Sequence, residues 1–149
     1  IIDHCAREIQ PCLKEKMQSL HLEVSEEPLM IKGDSVRLSQ VVANLLNNAC
    51  KFTPEKGDVI LRVVEEENII RVQVSDTGIG IKKEDLERVF QPFASIRKPE
   101  YFKGTGIGLS VTKGLVEAHG GKIWAESPGE GRGTKFTLIL PKRKEKEVS

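Results

Sequence analysis

Residues 40–54 read QVVANLLNNACKFTP, and this stretch decides the fold. Its apolar residues recur at helical spacing, although Asn is a poor helix former because its side chain competes for backbone hydrogen bonds. At about 100° per residue, a helical wheel gathers five polar residues within roughly a 100° arc: Gln40, Asn44, Asn47, Asn48 and Lys51. The remaining positions are apolar: Val41, Val42, Leu45, Leu46, Ala49 and Phe52. The pattern predicts a helix with one core-facing side and one amide-rich side.

The amide-rich side has an unusual chemistry for a helix surface. Solvated faces normally carry Glu, Lys and Arg, as in KKEDLERV at 82–89. Amide carbonyls can bind Mg²⁺, which prefers oxygen ligands. Asn44 and Asn48 lie one turn apart and Lys51 follows in the next turn, so one face can meet a metal ion and a phosphate chain together. A plain polar surface stripe is the alternative interpretation for these residues taken alone.

The composition indicates one globular domain. The chain has 149 residues, of which 38% are hydrophobic and 30% charged, as is usual for soluble proteins. Its 23 basic and 22 acidic residues leave a net charge of +1, which gives no reason to expect a nucleic-acid partner. The longest apolar runs fall short of the roughly 18 residues that a membrane span needs. We therefore expect neither nucleic-acid binding nor membrane contact by this domain.

The cysteines suggest a cellular location, and the first residue suggests that the chain is part of a longer protein. Cys5, Cys12 and Cys50 are an odd number without a C-x-x-C pair, so we expect reduced thiols and a cytoplasmic location. The chain begins at Ile1 and has no signal-peptide pattern, which is typical of a segment taken from a longer protein. That parent protein can itself be membrane-anchored.

The rest of the sequence predicts a mixed order of helices and strands. Residues 1–19 have helical spacing with Pro11 inside, which predicts a kink or a late start. The segment 58–76 reads as a hairpin of two strands around an acidic turn. The other predicted elements are strands at 21–25 and 29–32, the helix from 34 or 35 to about 51, a short helix at 82–90, a long loop at 91–104, a helix at 107–121, and strands at 122–127 and 134–141.

This order predicts the α+β class, as a two-layer α/β sandwich whose mixed sheet is covered on one face by helices. We expect one domain over residues 1–149 with a core at about 20–141. Residues 1–19 would be an N-terminal helical segment and residues 142–149 a charged tail.

Glycine occurs in three clusters that each border a predicted element. DTGIGI at 76–81 follows a strand, and its Asp76 can accept a hydrogen bond from an exocyclic amine such as that of adenine. KGTGIGLS at 103–110 precedes a helix, where free N–H groups suit phosphate. GEGRGT at 129–134 leads into the last strand, with Thr134 placed to support Asp76 or adenine. Turn geometry alone is the alternative, above all for the third cluster, and neither a G-x-G-x-x-G nor a P-loop motif is present.

In this order, the motifs resemble the ATP-binding domain of sensor histidine kinases, in the superfamily shared with type II topoisomerases, mismatch-repair ATPases and heat-shock chaperones. The resemblance covers about residues 30–141. The asparagine box is QVVANLLNNACKFTP, the first glycine box DTGIGI, the phenylalanine box VFQPF and the second glycine box GTGIGLS, with GRGTKFTLILP as the closing strand. The resemblance implies about three helices layered on a mixed sheet of about five strands.

The resemblance also implies roles for individual residues. Asn48 matches the Mg²⁺ ligand, Asn44 its partner beside the phosphates, and Lys51 a phosphate contact, so these three form the expected catalytic set. The expected ATP-binding residues are Asn44, Asn48, Lys51, Phe52, Asp76, Gly78, Gly80, Ile81, Lys103, Gly104, Thr105, Gly106, Ile107, Gly108, Leu109 and Thr134. ATP and Mg²⁺ are the expected cofactors.

One position favours a kinase over a hydrolase. ATPases of this superfamily carry Glu four residues before the metal-binding Asn, as a base for water, whereas this chain has Asn44, which cannot accept a proton. The resemblance thus implies transfer of the γ-phosphoryl group to a histidine on a dimerisation domain outside the chain, with a response regulator downstream. A serine kinase of the same superfamily and a non-catalytic nucleotide sensor are the alternatives.

The predicted lid departs from the family pattern. Several members carry a basic residue just after the phenylalanine box, where this chain has Ala94 and Ser95. Arg97, Lys98 and Lys103 are each candidates for a γ-phosphate contact, and the sequence does not choose among them.

Overall fold

The structure is a computed structural model that describes residues 2–24, 35–81, 83, 86, 88–90, 108–129 and 131–141. Three helices and five strands follow one another along the described chain. They are α1 (Ile2–Glu15), β1 (Ser19–Val24), α2 (Ser35–Phe52), β2 (Asp58–Glu65), β3 (Ile69–Asp76), α3 (Gly108–Ala118), β4 (Lys122–Glu126) and β5 (Thr134–Pro141), with a 3₁₀ turn at Arg88–Phe90.

The five strands form one mixed sheet in the order β1-β2-β3-β5-β4. β1 pairs with β2 in parallel, and the other three pairings are antiparallel. β2 and β3 form the predicted hairpin, in which Val63 lies opposite Val72. The predicted five-stranded mixed sheet and its three helices are confirmed. The order places β3 in the centre, so the end of β3 lies beside the start of β5.

Alternating residues of the strands form the sheet side of the core. Val59, Leu61 and Val74 are fully buried, as the period of two in a half-buried strand requires. The apolar side of α2 supplies the facing layer, with buried Val41, Val42, Leu45, Leu46, Ala49 and Phe52. Burial of this side confirms the amphipathic helix predicted from the opening stretch and turns its polar side away from the sheet.

α1 packs against α2 and contributes Ile9 and Leu13 to the core. Pro11 lies inside α1, which begins at Ile2, so of the two predicted outcomes the late start is wrong and the kink stays a prediction. The expectation of reduced thiols is also wrong for two cysteines, because Cys12 and Cys50 form a disulfide across α1 and α2 with their Cα atoms 6.6 Å apart. Their pairing depends on the packing of two helices, which residue spacing does not reveal.

Several predicted elements fall on residues outside the described ranges. These are the strand at 29–32, four residues of the helix at 82–90, the loop at 91–104 and the tail at 142–149. None of the helices in the described part of the chain combines the length and the apolar character that crossing a bilayer requires.

Candidate nucleotide site

The polar side of α2 divides into an inner and an outer part. Asn44 and Asn48 are half-buried, whereas Gln40 and Asn47 are exposed. Asn44 Nδ2 donates a hydrogen bond to Thr112 Oγ1 of α3 over 3.1 Å. Asn48 Nδ2 is buried and has no hydrogen-bond partner within the described part of the chain. Asn44 is therefore held against α3. The Nδ2 donor of Asn48 has no partner among the described residues.

The C-terminal end of α2 is held by the segment that follows α1. Gln18 Nε2 donates to the carbonyl oxygens of Cys50 over 3.2 Å and of Thr53 over 2.6 Å. Lys16 Nζ donates to the same Cys50 carbonyl over 2.8 Å. The last carbonyls of a helix lack partners within the helix, and here side chains supply them. Together with the Cys12–Cys50 disulfide, these bonds fix the turn that carries the predicted metal and phosphate residues.

Two polar residues meet where β3 ends and β5 begins. Asp76 and Thr134 are register partners, and their side chains are 8% and 4% exposed. Asp76 Oδ1 accepts a hydrogen bond from the Gly78 N–H over 2.8 Å. Thr134 Oγ1 is buried and makes no hydrogen bond with any described residue. An unpaired buried hydroxyl destabilises a fold by about 1–3 kcal/mol, and a ligand that bonds to Thr134 beside Asp76 relieves that cost.

The first glycine box packs directly on the end of α2. The Ile79 N–H donates to the carbonyl of Phe52 over 3.1 Å. Gly78 lies so close to that same carbonyl that a Cβ atom at position 78 would overlap it. Phe52 and Ile81 are both buried, and the Lys51 side chain lies outside the described part of the structure. The packing brings the predicted adenine residues next to the helix that carries Asn44 and Asn48.

The connection between β4 and β5 holds the other side of this loop. The Gly133 N–H donates to the Gly78 carbonyl over 3.0 Å, and the Ile81 N–H donates to Ser127 Oγ over 3.1 Å. The third glycine cluster therefore contacts the first cluster in addition to turning the chain. Ser127 was missed by the sequence analysis, because a serine in a turn has neither a periodicity nor a motif to mark it.

The second glycine box is described only from its last residues onward. Gly108 is the first residue of α3, and Leu109 is half-buried against the core. The other predicted residues of this box, and the candidates for the γ-phosphate contact, lie outside the described ranges: Arg97, Lys98, Lys103, Gly104, Thr105, Gly106 and Ile107. Leu109 thus packs against the core at the start of α3, and its role in phosphate binding stays a prediction, as for the rest of the box.

The donor set suits a nucleotide-bound magnesium ion better than a metal held by protein alone. The described residues contain no group of three or more His, Cys, Asp and Glu side chains able to hold a metal. Mg²⁺ commonly takes one or two protein ligands and fills its octahedron with water and substrate phosphates. The amide oxygen of Asn48, on a half-buried residue, fits that mode, whereas its Nδ2 donor, which bonds to none of the described residues, suits a phosphate oxygen. A magnesium ion at this helix would take one protein ligand and depend on nucleotide phosphates and water for the others.

Known proteins are similar to this chain in sequence and in fold. The profile of the family described as histidine kinase-, DNA gyrase B- and HSP90-like ATPase matches residues 33–144. The sensor histidine kinase WalK of Bacillus subtilis (strain 168) is 41% identical over 138 residues, which cover 90% of this chain and 22% of WalK.

Two solved structures of the histidine kinase ThkA are similar to this one. Its nucleotide-free catalytic domain superposes with a TM-score of 0.83 at 30% identity, covering 95% of this chain and 91% of that one. A complex of ThkA with the response regulator TrrA matches with a TM-score of 0.79 at 28% identity, covering 98% of this chain and 40% of that one. The chain thus corresponds to about a fifth of the length of WalK and to nearly all of the ThkA domain. The chain belongs to the family of histidine kinase-, DNA gyrase B- and HSP90-like ATPases.

Proposed function

We propose that this chain is the ATP-binding catalytic domain of a two-component sensor histidine kinase. In this role it transfers the γ-phosphoryl group of Mg-ATP to a histidine on a dimerisation domain outside the chain. The observation that carries the proposal is the buried hydroxyl of Thr134, which bonds to none of the described residues and lies directly across from the buried carboxylate of Asp76. The carboxylate can accept a hydrogen bond from the adenine amino group, and the neighbouring hydroxyl can donate one to a ring nitrogen or to water. The likeness to WalK and to the catalytic domain of ThkA supports the same assignment.

The nucleotide spans two parts of the site in this proposal. Adenine binds to Asp76, Thr134 and the loop that ends at Ile81. The side-chain amides of Asn44 and Asn48 on α2 contact the phosphates. The amide oxygen of Asn48 would hold a magnesium ion, which would supply neutralisation of the charge on the transferred phosphoryl group. Asn44 is kept in place by Thr112. Lys51 and the backbone of residues 104–109 complete the phosphate contacts that the sequence predicts.

The absence of a base at position 44 favours transfer to a protein nucleophile over hydrolysis. Asn44 Nδ2 donates to Thr112, and a carboxamide does not take a proton from water at neutral pH. ATP therefore persists in the site until a separate nucleophile arrives. The chain's part in the transfer is positioning and charge stabilisation rather than covalent chemistry.

The proposal is tested by phosphorylation of a separately supplied histidine-bearing dimerisation domain with radiolabelled ATP. Asn48→Asp and Asp76→Asn are each expected to lower labelling by about a hundredfold. Asn47→Asp is the matched control, because it makes the same change of amide to carboxylate one residue away at an exposed position, and it should label normally. Normal labelling by both site variants contradicts the proposal.

The same experiment separates the alternatives. Phosphohistidine is lost in acid whereas phosphoserine survives, so acid-stable label identifies a serine kinase instead. ATP binding without label on any acceptor identifies a nucleotide sensor.

The wider biological setting belongs to this proposal as well. We infer a response regulator as the downstream partner, supported by the complex that ThkA forms with TrrA. The cytoplasmic location stays a prediction, and the Cys12–Cys50 disulfide removes the cysteine argument for it. A single domain over residues 1–149, with its core at about 20–141, also remains part of the proposal.

A further inference from the structure

The hydroxyl of Ser127 is the centre of a hydrogen-bond cluster in the connection between β4 and β5. It accepts from the Ile81 N–H over 3.1 Å and from the Gly129 N–H over 3.2 Å. It lies 2.7 Å from the Gly133 carbonyl and 3.3 Å from the Gly129 carbonyl, so its single proton points to Gly133. A hydroxyl offers one donor and two lone pairs, and Ser127 uses all three between this connection and the first glycine box.

The bonds of Ser127 join the two sides of the proposed adenine pocket. Ile81 is 3% exposed and ends the glycine box, while Gly133 directly precedes Thr134. The Gly131 N–H also donates to the Ile79 carbonyl over 2.6 Å. Such backbone bonds set the distance between the first glycine box and the connection from β4 to β5. Ser127 adds a side-chain link at the far end of the loop, where Ile81 leaves the box.

The loop has little freedom to find another arrangement at this point. Gly80 has a φ of +72° and lies against the Gly129 carbonyl, so closely that a Cβ atom at position 80 would overlap it. Without the Ser127 hydroxyl, the Ile81 N–H and the Gly133 carbonyl both lose a partner in a half-buried place. Because the loop cannot readily rearrange, these unpaired polar groups destabilise the arrangement that forms the pocket.

We infer that Ser127 is a positioning residue for nucleotide binding: it holds Ile81 and the residue before Thr134 at the separation that adenine requires. The inference rests on the proposed function, because it assumes that adenine binds between these two residues. Ser127 acts through Ile81 and Gly133 and needs no contact with the nucleotide itself.

The first test measures Mg-ATP affinity by calorimetry for three variants. Ser127→Ala is expected to bind about tenfold more weakly, since about 1.4 kcal/mol corresponds to tenfold and is of the size of one or two hydrogen bonds. Ser127→Thr keeps the hydroxyl and should bind nearly as the parent chain does. Ser19→Ala removes a hydroxyl from an exposed residue of β1, at the opposite edge of the sheet, and is the matched control, with unchanged affinity expected.

The second test measures amide hydrogen exchange by NMR in the same variants without nucleotide. In Ser127→Ala, the Ile81 amide should exchange faster, whereas the Ile79 amide, bonded to Phe52, should keep its rate. Unchanged Mg-ATP affinity in Ser127→Ala overturns the inference. So does a uniform rise in exchange through β4 and β5, which marks general destabilisation.

The two ideas fail in different ways. If the parent chain does not bind Mg-ATP at all, the proposed function fails. If the parent chain binds Mg-ATP and Ser127→Ala binds it equally well, only the role of Ser127 fails.

Discussion

The side chain of Asn44 donates to the hydroxyl of Thr112 over 3.1 Å, and this bond links α2 to α3. Thr112 is fully buried, and Asn44 is half-buried beside the proposed phosphate site. The bond fixes which end of the Asn44 amide faces α3, so the carbonyl end is directed elsewhere. Thr112 of α3 thus sets the orientation of the Asn44 side chain on α2.

Replacing Thr112 by Val tests this link, because the shape is kept and the hydroxyl is lost. Asn44 then has a donor without its partner, which costs about 1–3 kcal/mol in the folded state. We expect a lower urea midpoint and a severalfold slower transfer in single-turnover phosphorylation. Thr112→Ser keeps the hydroxyl and should preserve the transfer rate. A parent-like rate in Thr112→Val would show that the orientation of Asn44 does not matter.

Introducing a base at position 44 should raise ATP hydrolysis. In Asn44→Glu the carboxylate can accept a proton from water, and general-base catalysis is worth about a hundredfold or more when the geometry is good. The Thr112 hydroxyl can donate to that carboxylate, so the pair stays compatible. Phosphate release is measured with the acceptor domain left out, and at least a tenfold rise is expected on the same grounds. Unchanged turnover with intact ATP binding would mean that a missing base is not what limits hydrolysis.

Reduction of the Cys12–Cys50 disulfide should lower the stability of the chain. The two cysteines are 38 residues apart in sequence, and closing a loop of that length stabilises a fold by about 4 kcal/mol in the chain-entropy description. The urea midpoint is measured with and without a dithiol reductant. Cys12→Ser should show the lower midpoint under both conditions and no response to the reductant. A parent chain with equal midpoints in both buffers would contradict this prediction.

Two glycines should respond in opposite ways to replacement by Ala. Gly80→Ala meets the Gly129 carbonyl and forces a φ of +72° on a residue with a side chain, so a loss of about 1–3 kcal/mol is expected. Gly114 lies exposed within α3 with open space around it, so Gly114→Ala should stabilise the chain by about 0.5–1 kcal/mol through helix propensity. Thermal unfolding measures both, and equal shifts would refute the contrast.

The ion pair of Glu66 and Arg71 predicts a small acid-dependent loss of stability. The hydrogen bond from Arg71 Nε, 2.6 Å from Glu66 Oε2, lowers the pKa of Glu66 below its usual 4.5. A lowered carboxyl pKa stabilises the fold above pH 4.5, and this contribution disappears as the pH falls through the folded-state pKa. The pair is partly exposed, so salt should weaken it. Carbon-13 NMR titration measures the pKa, and Glu66→Gln should show a flatter stability curve below pH 4.5. An ordinary Glu66 pKa would remove the basis for this prediction.

The features that can be predicted from the sequence are those in which the spacing of nearby residues determines the type of element. The spacing of Leu45, Leu46 and Ala49 allows only a helix with a buried side, and the alternation in β2 and β3 allows only a hairpin. Asp76 and Thr134 can be placed together from the sequence because Asp76 begins one glycine cluster and Thr134 ends another, each at a strand boundary. These features depend on neighbours in the sequence, so no packing had to be known.

Features that depend on packing were not predicted. The Cys12–Cys50 disulfide, the Thr112 hydrogen bond and the Ser127 cluster each join residues from different elements. Nothing near Thr112 in the sequence distinguishes its hydroxyl from any other on a buried helix side. Such contacts depend on how close two elements lie in the folded protein. Composition and residue spacing do not give that distance.

The pairing of β3 with β5 has a consequence for how the protein is made. Asp76 leaves the ribosome long before Thr134, and all of α3 and β4 are synthesised between them. A nascent chain that ends before β5 already contains Asn44, Asn48 and the whole first glycine box. It lacks the strand that carries Thr134, which forms one side of the proposed pocket. Long-range pairings of this kind form late in folding. At the proposed site, ATP binding therefore begins only after synthesis of this strand, and nucleotide stabilises only chains whose last strand has docked.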